Sequence, residues 1–285
     1  MKAAPFAYHR PTTVNDALHV LADVAPDDGR VIAGGQSLVP IMAYRLSRPA
    51  HLVDINQVAE FGRLNEAGGA LRIGACVRHA AFYKVAAPGA TGHILTRVVR
   101  HIAHHPIRTR GTFCGSLAHA DPASEWCLVT ATLGGRLIAR SVDGTRAIEA
   151  VDYFEGVMTT ALRPNEILVE ARLPLLPQDT LFGFCEFNRR AGDFALAMVL
   201  ATYRLVDGRI SEPRIGIGGA EPFPRRIAEA ETLLLGQRPD MEIFARAGAA
   251  AARALMPLED AGTSGDYRRD LVAALTRRAL EQACP

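Results

Sequence analysis

A short loop of small residues, Ala33-Gly34-Gly35-Gln36-Ser37, closes a predicted strand over residues 30–33 and constrains this chain more than any other feature. Adjacent glycines allow a sharp backbone turn and leave no side chain to keep a ligand away. Successive N–H groups of such a turn point into one concavity, and the Ser37 hydroxyl adds a donor, so the loop suits a pyrophosphate. This motif alone is equally consistent with an ordinary turn between a strand and a helix.

A second loop of the same kind runs from Gly111 to Ser116 and contains Thr112, Phe113, Cys114 and Gly115. Two carboxylates, Asp121 and Glu125, follow it closely. Two glycine loops from separated parts of a chain can hold one diphosphate from both sides, and a nearby carboxylate can accept hydrogen bonds from ribose or ribityl hydroxyls. The pair therefore favours a dinucleotide site over two unrelated turns.

Neither loop has the G-x-G-x-x-G spacing of a Rossmann fold. The closest approach, the segment from Gly216 to Glu221, lacks the last glycine, and no acidic residue follows at the expected distance. No G-x-x-x-x-G-K-[ST] motif is present either. A dinucleotide bound by this chain must therefore sit on a different fold.

Apolar periodicity predicts short strands that alternate with single helices, without the regular β-α rhythm of a doubly wound sheet. The first half has a helix over residues 13–25 and strands at 30–33, 51–55 and 71–75. Pro-Leu-Leu-Pro-Gln-Asp-Thr at residues 174–180 breaks the pattern and marks a domain boundary. Strands at 182–187, 195–205 and 214–218 follow, with a hairpin turn at Asp207-Gly208 between the second of these strands and a short stretch at Arg209-Ile210. Helices over 227–235, 242–255 and 266–283 come next. The predicted class is α+β.

Composition excludes several kinds of function. The 32 basic and 30 acidic residues are well mixed and aromatic residues make up 6%, which argues against a nucleic-acid surface. The five cysteines form no C-x-x-C motif, so this chain is expected to carry neither an iron–sulfur cluster nor a structural zinc. We also expect no membrane span and, for want of a signal-peptide-like N-terminus, a cytoplasmic location.

Five strings in the same order resemble the FAD-binding medium subunits of the carbon monoxide dehydrogenase and xanthine dehydrogenase family. They are AGGQSLVPIMAYRL from Ala33, IRTRGTFCGSLAHADPASE from Ile107, NEILVEARLP from Asn165, RRAGDFA from Arg189 and GIGGAEPFPRR from Gly216. The resemblance implies a vanillyl-alcohol-oxidase-type (PCMH-type) FAD-binding domain over residues 1–175, in subdomains of about 1–56 and 57–175. A C-terminal α+β domain with a small antiparallel sheet and helices is expected over 176–285.

The resemblance also implies which residues hold the flavin. The pyrophosphate would lie between the loops Ala33–Ser37 and Thr112–Ser116, and Glu125 would bond the flavin's polyol. Ile102 and Leu168 match positions whose apolar side chains lie against the isoalloxazine ring, and Phe194 would approach the ring. No catalytic acid, base or metal ligand is expected in this chain.

Some positions depart from the family pattern. Cys114 stands where many relatives have glycine, so its thiol must point away from the cofactor, and a lysine found near Cys185 or Glu186 in many relatives is missing. His101, His104 and His105 resemble a metal cluster, but no carboxylate accompanies them, which favours surface or flavin-neighbouring histidines. Arg189-Arg190 is equally consistent with a solvated pair and with a docking site near the flavin edge.

Three functions are compatible with this sequence. The first is an FAD-dependent electron-transfer subunit that receives electrons from a small 2Fe–2S subunit, beside a large subunit with the molybdopterin cofactor, in an expected dimer of heterotrimers. The second is a stand-alone flavin oxidoreductase of the same fold, similar to the enolpyruvyl-glucosamine reductases. The third is a flavin-free scaffold subunit, because Cys114 alters one loop. The sequence favours the first, since no substrate acid or pocket signature supports the second.

Overall fold

The computed structural model describes residues 2–284, and its first unit is a small parallel sheet with one helix packed against it. The strand order is β1-β3-β2, and β3 pairs in parallel with both neighbours. The elements are β1 (Ala7–His9), α1 (Val14–Val24), β2 (Gly29–Ile32), α2 (Leu38–Ala43) and β3 (His51–Asp54).

Helix α1 shows why this unit forms. The Thr13 hydroxyl accepts a hydrogen bond from the Asp16 backbone N–H and so caps the first turn. Leu18 and Leu21 lie on one helical face and are buried in a core shared with Val53 of β3. The loop that leaves β2 is thereby held between two packed elements.

The second unit is a five-stranded antiparallel sheet covered by helices. Its strand order is β4-β5-β10-β6-β7. A core around the fully buried Trp126, Phe113 and Tyr153 joins sheet and helices. The elements are β4 (Leu64–Ala67), β5 (Ala70–Gly74), α3 (Gly89–Val98), α4 (His105–Arg110), α5 (Phe113–His119), α6 (Glu125–Leu133), β6 (Arg136–Ser141), β7 (Gly144–Glu149), the small pair β8 (Phe154–Gly156) and β9 (Thr159–Thr160), and β10 (Ile167–Pro174).

The third unit is a four-stranded antiparallel sheet in the order β11-β12-β13-β14, with three helices. One face of the sheet packs on these helices, while Phe184 and Leu200 on the other face join the core of the second unit. The elements are β11 (Leu181–Phe187), β12 (Ala197–Val206), β13 (Arg209–Gly218), β14 (Arg225–Arg226), α7 (Ala228–Leu234), α8 (Met241–Arg253) and α9 (Gly265–Ala283).

The predicted α+β class is confirmed, and the Asp207-Gly208 hairpin joins β12 to β13. One difference concerns β13, where two short predicted stretches form a single strand. Glu212 has a positive φ of 51°, and the pairing with β12 shifts register between Thr202 and Arg204, so a bulge absorbs the irregularity instead of ending the strand. His101 and His105 do not share a helix, because α3 ends at Val98 and α4 begins at His105.

Within the described residues, no group of three or more His, Cys, Asp or Glu side chains is placed to hold a metal ion. No helix between residues 2 and 284 is both long and apolar enough to cross a membrane.

Candidate functional site

A cavity of about 420 Å³ lies where the first and second units meet, and both glycine loops line it. The first loop contributes all five of its residues, Ala33 to Ser37. The second contributes Thr112, Cys114, Gly115 and Ser116, and Leu168 of β10 lies on the wall between them. The structure therefore brings two segments that are far apart in the chain to one opening.

The two loops touch through backbone. A Cβ on Gly34 would lie 2.4 Å from the Arg110 carbonyl oxygen and 2.7 Å from the Gly111 Cα, so only glycine allows this approach. Gly35 has a φ of 68°, in the left-handed region that favours glycine. The Gln36 side-chain amide donates to the Gly34 carbonyl oxygen over 2.9 Å and fixes the turn.

The backbone N–H groups of Gly34 to Ser37 are donors without an acceptor among residues 2–284. They belong to residues that line the cavity, and residues at the N-terminal end of α5 line the same cavity. Thr112 caps this helix, because its hydroxyl accepts from the Gly115 N–H over 3.0 Å. Unused N–H groups facing an opening are the donor set that an anionic diphosphate requires, so the residues present fit the pyrophosphate of FAD.

The Cys114 side chain is turned into the core. Its thiol donates to the Ile73 carbonyl oxygen at 3.4 Å and is fully buried, and this burial raises its pKa well above the usual range. The thiol therefore stays protonated and hydrogen-bonded inside the core. The departure from glycine leaves the shape of the second loop unobstructed.

Five other predicted residues do not line the cavity. Phe113 is buried among Phe82 and Trp126 in the core, whereas Asp121, Glu125, Ile102 and Phe194 lie outside the cavity wall. Asp121 accepts from the Ala123 N–H over 2.9 Å and so shapes the turn before α6. Their contacts to a flavin remain predictions.

Glu125 sits in the first turn of α6 and is almost fully buried. Burial, followed by the charge of Glu186, raises its pKa to about 8. Burial also raises the pKa of Glu186 to about 7, and one oxygen of that carboxyl has no hydrogen-bond partner within the described part of the chain. His101 Nδ1 lies 3.7 Å from this oxygen, and burial lowers the pKa of His101. The charge of Glu186 in β11 of the third unit thus acts on Glu125 in α6 of the second unit.

Ile102 and Phe194 lie on two neighbouring loops. The Arg108 guanidinium donates to the carbonyl oxygens of Ile102 and Ala103, over 2.8 and 3.1 Å, and so fixes the loop after α3. Phe194 is 74% exposed, and a Cβ on nearby Gly192 would lie 2.3 Å from the His104 ring. The two loops therefore contact each other.

Arg189 lies just before Gly192 in the chain. Its guanidinium donates to the Gly262 carbonyl oxygen over 2.6 Å, so this charge is hydrogen-bonded to the protein and is not surrounded by solvent alone.

The sequence pattern gave no sign of His79, which lines the cavity beside the second loop. Its ring is 3% exposed, and burial lowers its pKa to about 4. A single histidine outside any motif carries no local signal. Only the pairing of distant segments reveals its position.

Comparison with known proteins gives a consistent result over the whole chain. Residues 4–176 match the family described as FAD binding domain in molybdopterin dehydrogenase, and residues 182–283 match the CO dehydrogenase flavoprotein C-terminal domain. The nicotine 6-hydroxylase medium subunit of Paenarthrobacter nicotinovorans is 40% identical over 285 residues, which cover 99% of each chain.

Two solved structures are similar over their full length. A chain of quinoline 2-oxidoreductase from Pseudomonas putida 86 is 36% identical, with a TM-score of 0.93, and the match covers 99% of this chain and 98% of that one. A chain of the Cu,Mo-CO dehydrogenase is 30% identical, with a TM-score of 0.95, over 99% of both chains.

Proposed function

We propose that this chain, which belongs to the family of FAD-binding subunits of molybdopterin dehydrogenases, passes electrons through an FAD held between its two glycine loops. It is an oxidoreductase subunit, and FAD is its cofactor. The observation that carries the proposal is the row of unused N–H donors from Gly34 to Ser37, in a cavity that the capped end of α5 also lines.

The bound flavin supplies redox chemistry that no side chain can provide. The protein's own part is to bind and orient it. The loops Ala33–Ser37 and Thr112–Ser116 would hold the diphosphate, and Glu125 would accept from polyol hydroxyls. Ile102 and Leu168 would lie against the ring, with Phe194 closing over it.

A flavin-free scaffold is the poorer explanation. The doubt that Cys114 raised about the second loop disappears, because its thiol bonds to Ile73 inside the core. We propose domain limits of 1–175, with subdomains of about 1–56 and 57–175, and 176–285. The break between Pro174 and Leu181 separates the five-stranded sheet from the four-stranded one and supports the main boundary.

We further propose that the chain works beside a large molybdenum-cofactor subunit and a small 2Fe–2S subunit, as a dimer of heterotrimers in the cytoplasm. The 2Fe–2S subunit would deliver electrons to the flavin, and an external acceptor would remove them. The support is the match to medium subunits and medium chains over nearly their whole length. The relatives with 40% and 36% identity are named for nicotine and quinoline, which favours a nitrogen heterocycle over carbon monoxide as substrate of the complex.

Anaerobic mixing tests the electron-transfer role. The purified subunit with FAD should keep its flavin absorbance when nicotine, quinoline or carbon monoxide is added, and an artificial donor such as dithionite should still bleach it. The three coexpressed subunits should bleach with one of the heterocycles. Bleaching of the isolated subunit by an organic substrate at a catalytic rate would favour the stand-alone oxidoreductase instead.

A further inference from the structure

His79 lies directly beside Gly111, the first residue of the second glycine loop. Its backbone N–H donates to the Gly111 carbonyl oxygen over 3.0 Å, and a Cβ on Gly111 would come within 2.4 Å of its ring Nε2. The imidazole therefore packs against the Gly111 Cα. His79 is 3% exposed and is one of the residues that line the cavity, so it lies buried in the cavity wall.

A tryptophan fixes which nitrogen of this ring carries the proton. The Trp126 indole N–H donates to His79 Nδ1 over 2.8 Å. An indole nitrogen is only ever a donor, so Nδ1 must accept and cannot carry a hydrogen. Trp126 is itself held by Phe82 and Phe113, with ring centroids 5.2 and 5.0 Å away, which leaves it little freedom to turn.

The remaining nitrogen is then a donor. Burial, with the nearby charges of Arg78 and Arg108, lowers the pKa of His79 to about 4, which keeps the ring neutral. A neutral imidazole that accepts at Nδ1 carries its hydrogen at Nε2. No hydrogen bond among residues 2–284 uses Nε2. A buried N–H in a fixed direction is therefore available to a ligand of the cavity.

The place of Nε2 identifies the part of the ligand it would meet. Gly111 contacts the His79 ring and also approaches Gly34, whose Cβ would lie 2.7 Å from the Gly111 Cα. Nε2 thus lies next to Gly111, the residue at which the two loops come together. Oxygens of a diphosphate are the acceptors that such a junction would hold.

We propose that His79 donates a hydrogen bond from Nε2 to an oxygen of the FAD diphosphate, and that Trp126 is the positioning residue that fixes the imidazole in this tautomer. The inference rests on the proposed placement of the diphosphate between the loops. It adds a neutral side-chain donor to a site otherwise built from backbone N–H groups and hydroxyls.

Nuclear magnetic resonance tests the tautomer directly. In the full chain labelled with ¹⁵N-histidine, His79 should show the shifts of a neutral ring protonated at Nε2, and addition of FAD should move the Nε2–H resonance. In Trp126→Phe the ring should lose the single-tautomer signature. A ring protonated at Nδ1 in the wild-type chain would overturn the inference, whatever the variants do.

Affinity and phosphorus spectra test the contact. Loss of a hydrogen bond to a charged acceptor should weaken FAD binding by about ten- to a hundredfold in His79→Phe. His79→Gln, which can place an amide N–H near Nε2, should recover most of it. The ³¹P resonances of bound FAD should shift in His79→Phe. Phe244→Leu removes buried aromatic packing in the core of the third unit, away from Trp126 and the cavity, so its bound FAD should keep the wild-type ³¹P shifts.

The outcomes separate this inference from the proposed function. Folded His79→Phe with wild-type FAD affinity and unchanged ³¹P shifts would overturn the role of His79 and leave the glycine-loop site intact. Failure of the wild-type chain to bind FAD would instead remove the proposed function. If His79→Phe does not fold, the wild-type tautomer and the movement of its Nε2–H resonance on addition of FAD still decide the question.

Discussion

Replacing Gly34 by alanine tests the cavity most sharply, because the added methyl group meets backbone rather than side chain. The new Cβ would lie 2.4 Å from the Arg110 carbonyl oxygen and 2.7 Å from the Gly111 Cα. Neither atom can rotate away. The two loops must therefore move apart by several tenths of an ångström, which widens the gap across which both would hold one diphosphate.

The cost can be estimated from the contact. Forcing a methyl group into a well-packed place typically costs about 1–3 kcal/mol. In the flavin-free chain the loops can relax apart, whereas binding would draw them together again, so the cost falls mainly on the bound state. We expect FAD to bind about five- to 150-fold more weakly, with a smaller change in the free energy of unfolding of the flavin-free chain.

Flavin fluorescence titration of the apoprotein, with urea unfolding in parallel, measures both quantities. Gly248→Ala is the matched control, because its Cβ would lie 2.5 Å from the Ala273 carbonyl oxygen between α8 and α9 in the C-terminal domain. This variant should unfold at a different urea concentration but bind FAD with wild-type affinity. A folded Gly34→Ala protein with unchanged FAD affinity would refute the placement of the diphosphate between the loops.

Three further outcomes are expected. Gly35→Val should lose FAD while keeping the fold, because φ is 68° at Gly35 and valine strains this turn of the loop. The control Gly69→Val, at a φ of 73° in open space, should keep FAD. Full flavin occupancy in Gly35→Val would contradict the assignment of this loop. Burial and the charge of Glu186 raise the pKa of Glu125 from 4.5 to about 8, so the folded chain retains a proton that the unfolded chain loses and the free energy of unfolding falls as the pH rises through this range. Glu125→Gln should therefore stabilise the flavin-free chain more at about pH 9 than at about pH 5 in urea unfolding, and an equal effect at both values would show that Glu125 is not perturbed. FAD should be bound non-covalently, so acid precipitation should leave the yellow colour in solution, and colour in the pellet would disprove this.

Local signals explain why much of the fold was predictable. The cap at Thr13, the hairpin at Asp207-Gly208 and the helical spacing of α8 and α9 all act within a few residues. The family was also recognisable, because five strings occur in order. The merged strand β13 was not predicted, since the bulge at Glu212 is tolerated only by pairing with β12.

The candidate site, like the fold, was predictable only in part. Glycine and small hydroxyl residues predicted the two loops, because a backbone that closely approaches a ligand leaves room only for small side chains. Their spacing could not show that the loops touch at Gly34 and Gly111, nor that Phe113 is turned into the core while its neighbours line the cavity.

By itself, then, the sequence determined most elements of the C-terminal domain, a few in the first 75 residues, the α+β class, the family and the two glycine loops, since each of these depends on residue type and short-range spacing. The helices and strands between residues 76 and 173 were not predicted. Tertiary structure alone decided that Cys114 bonds to Ile73, that Glu125 feels the charge of Glu186, and that Trp126 sets the tautomer of His79. The direction of a buried side chain and the partner it meets depend on how distant segments pack. That information lies in the close-packed core as a whole and in no local pattern of residues.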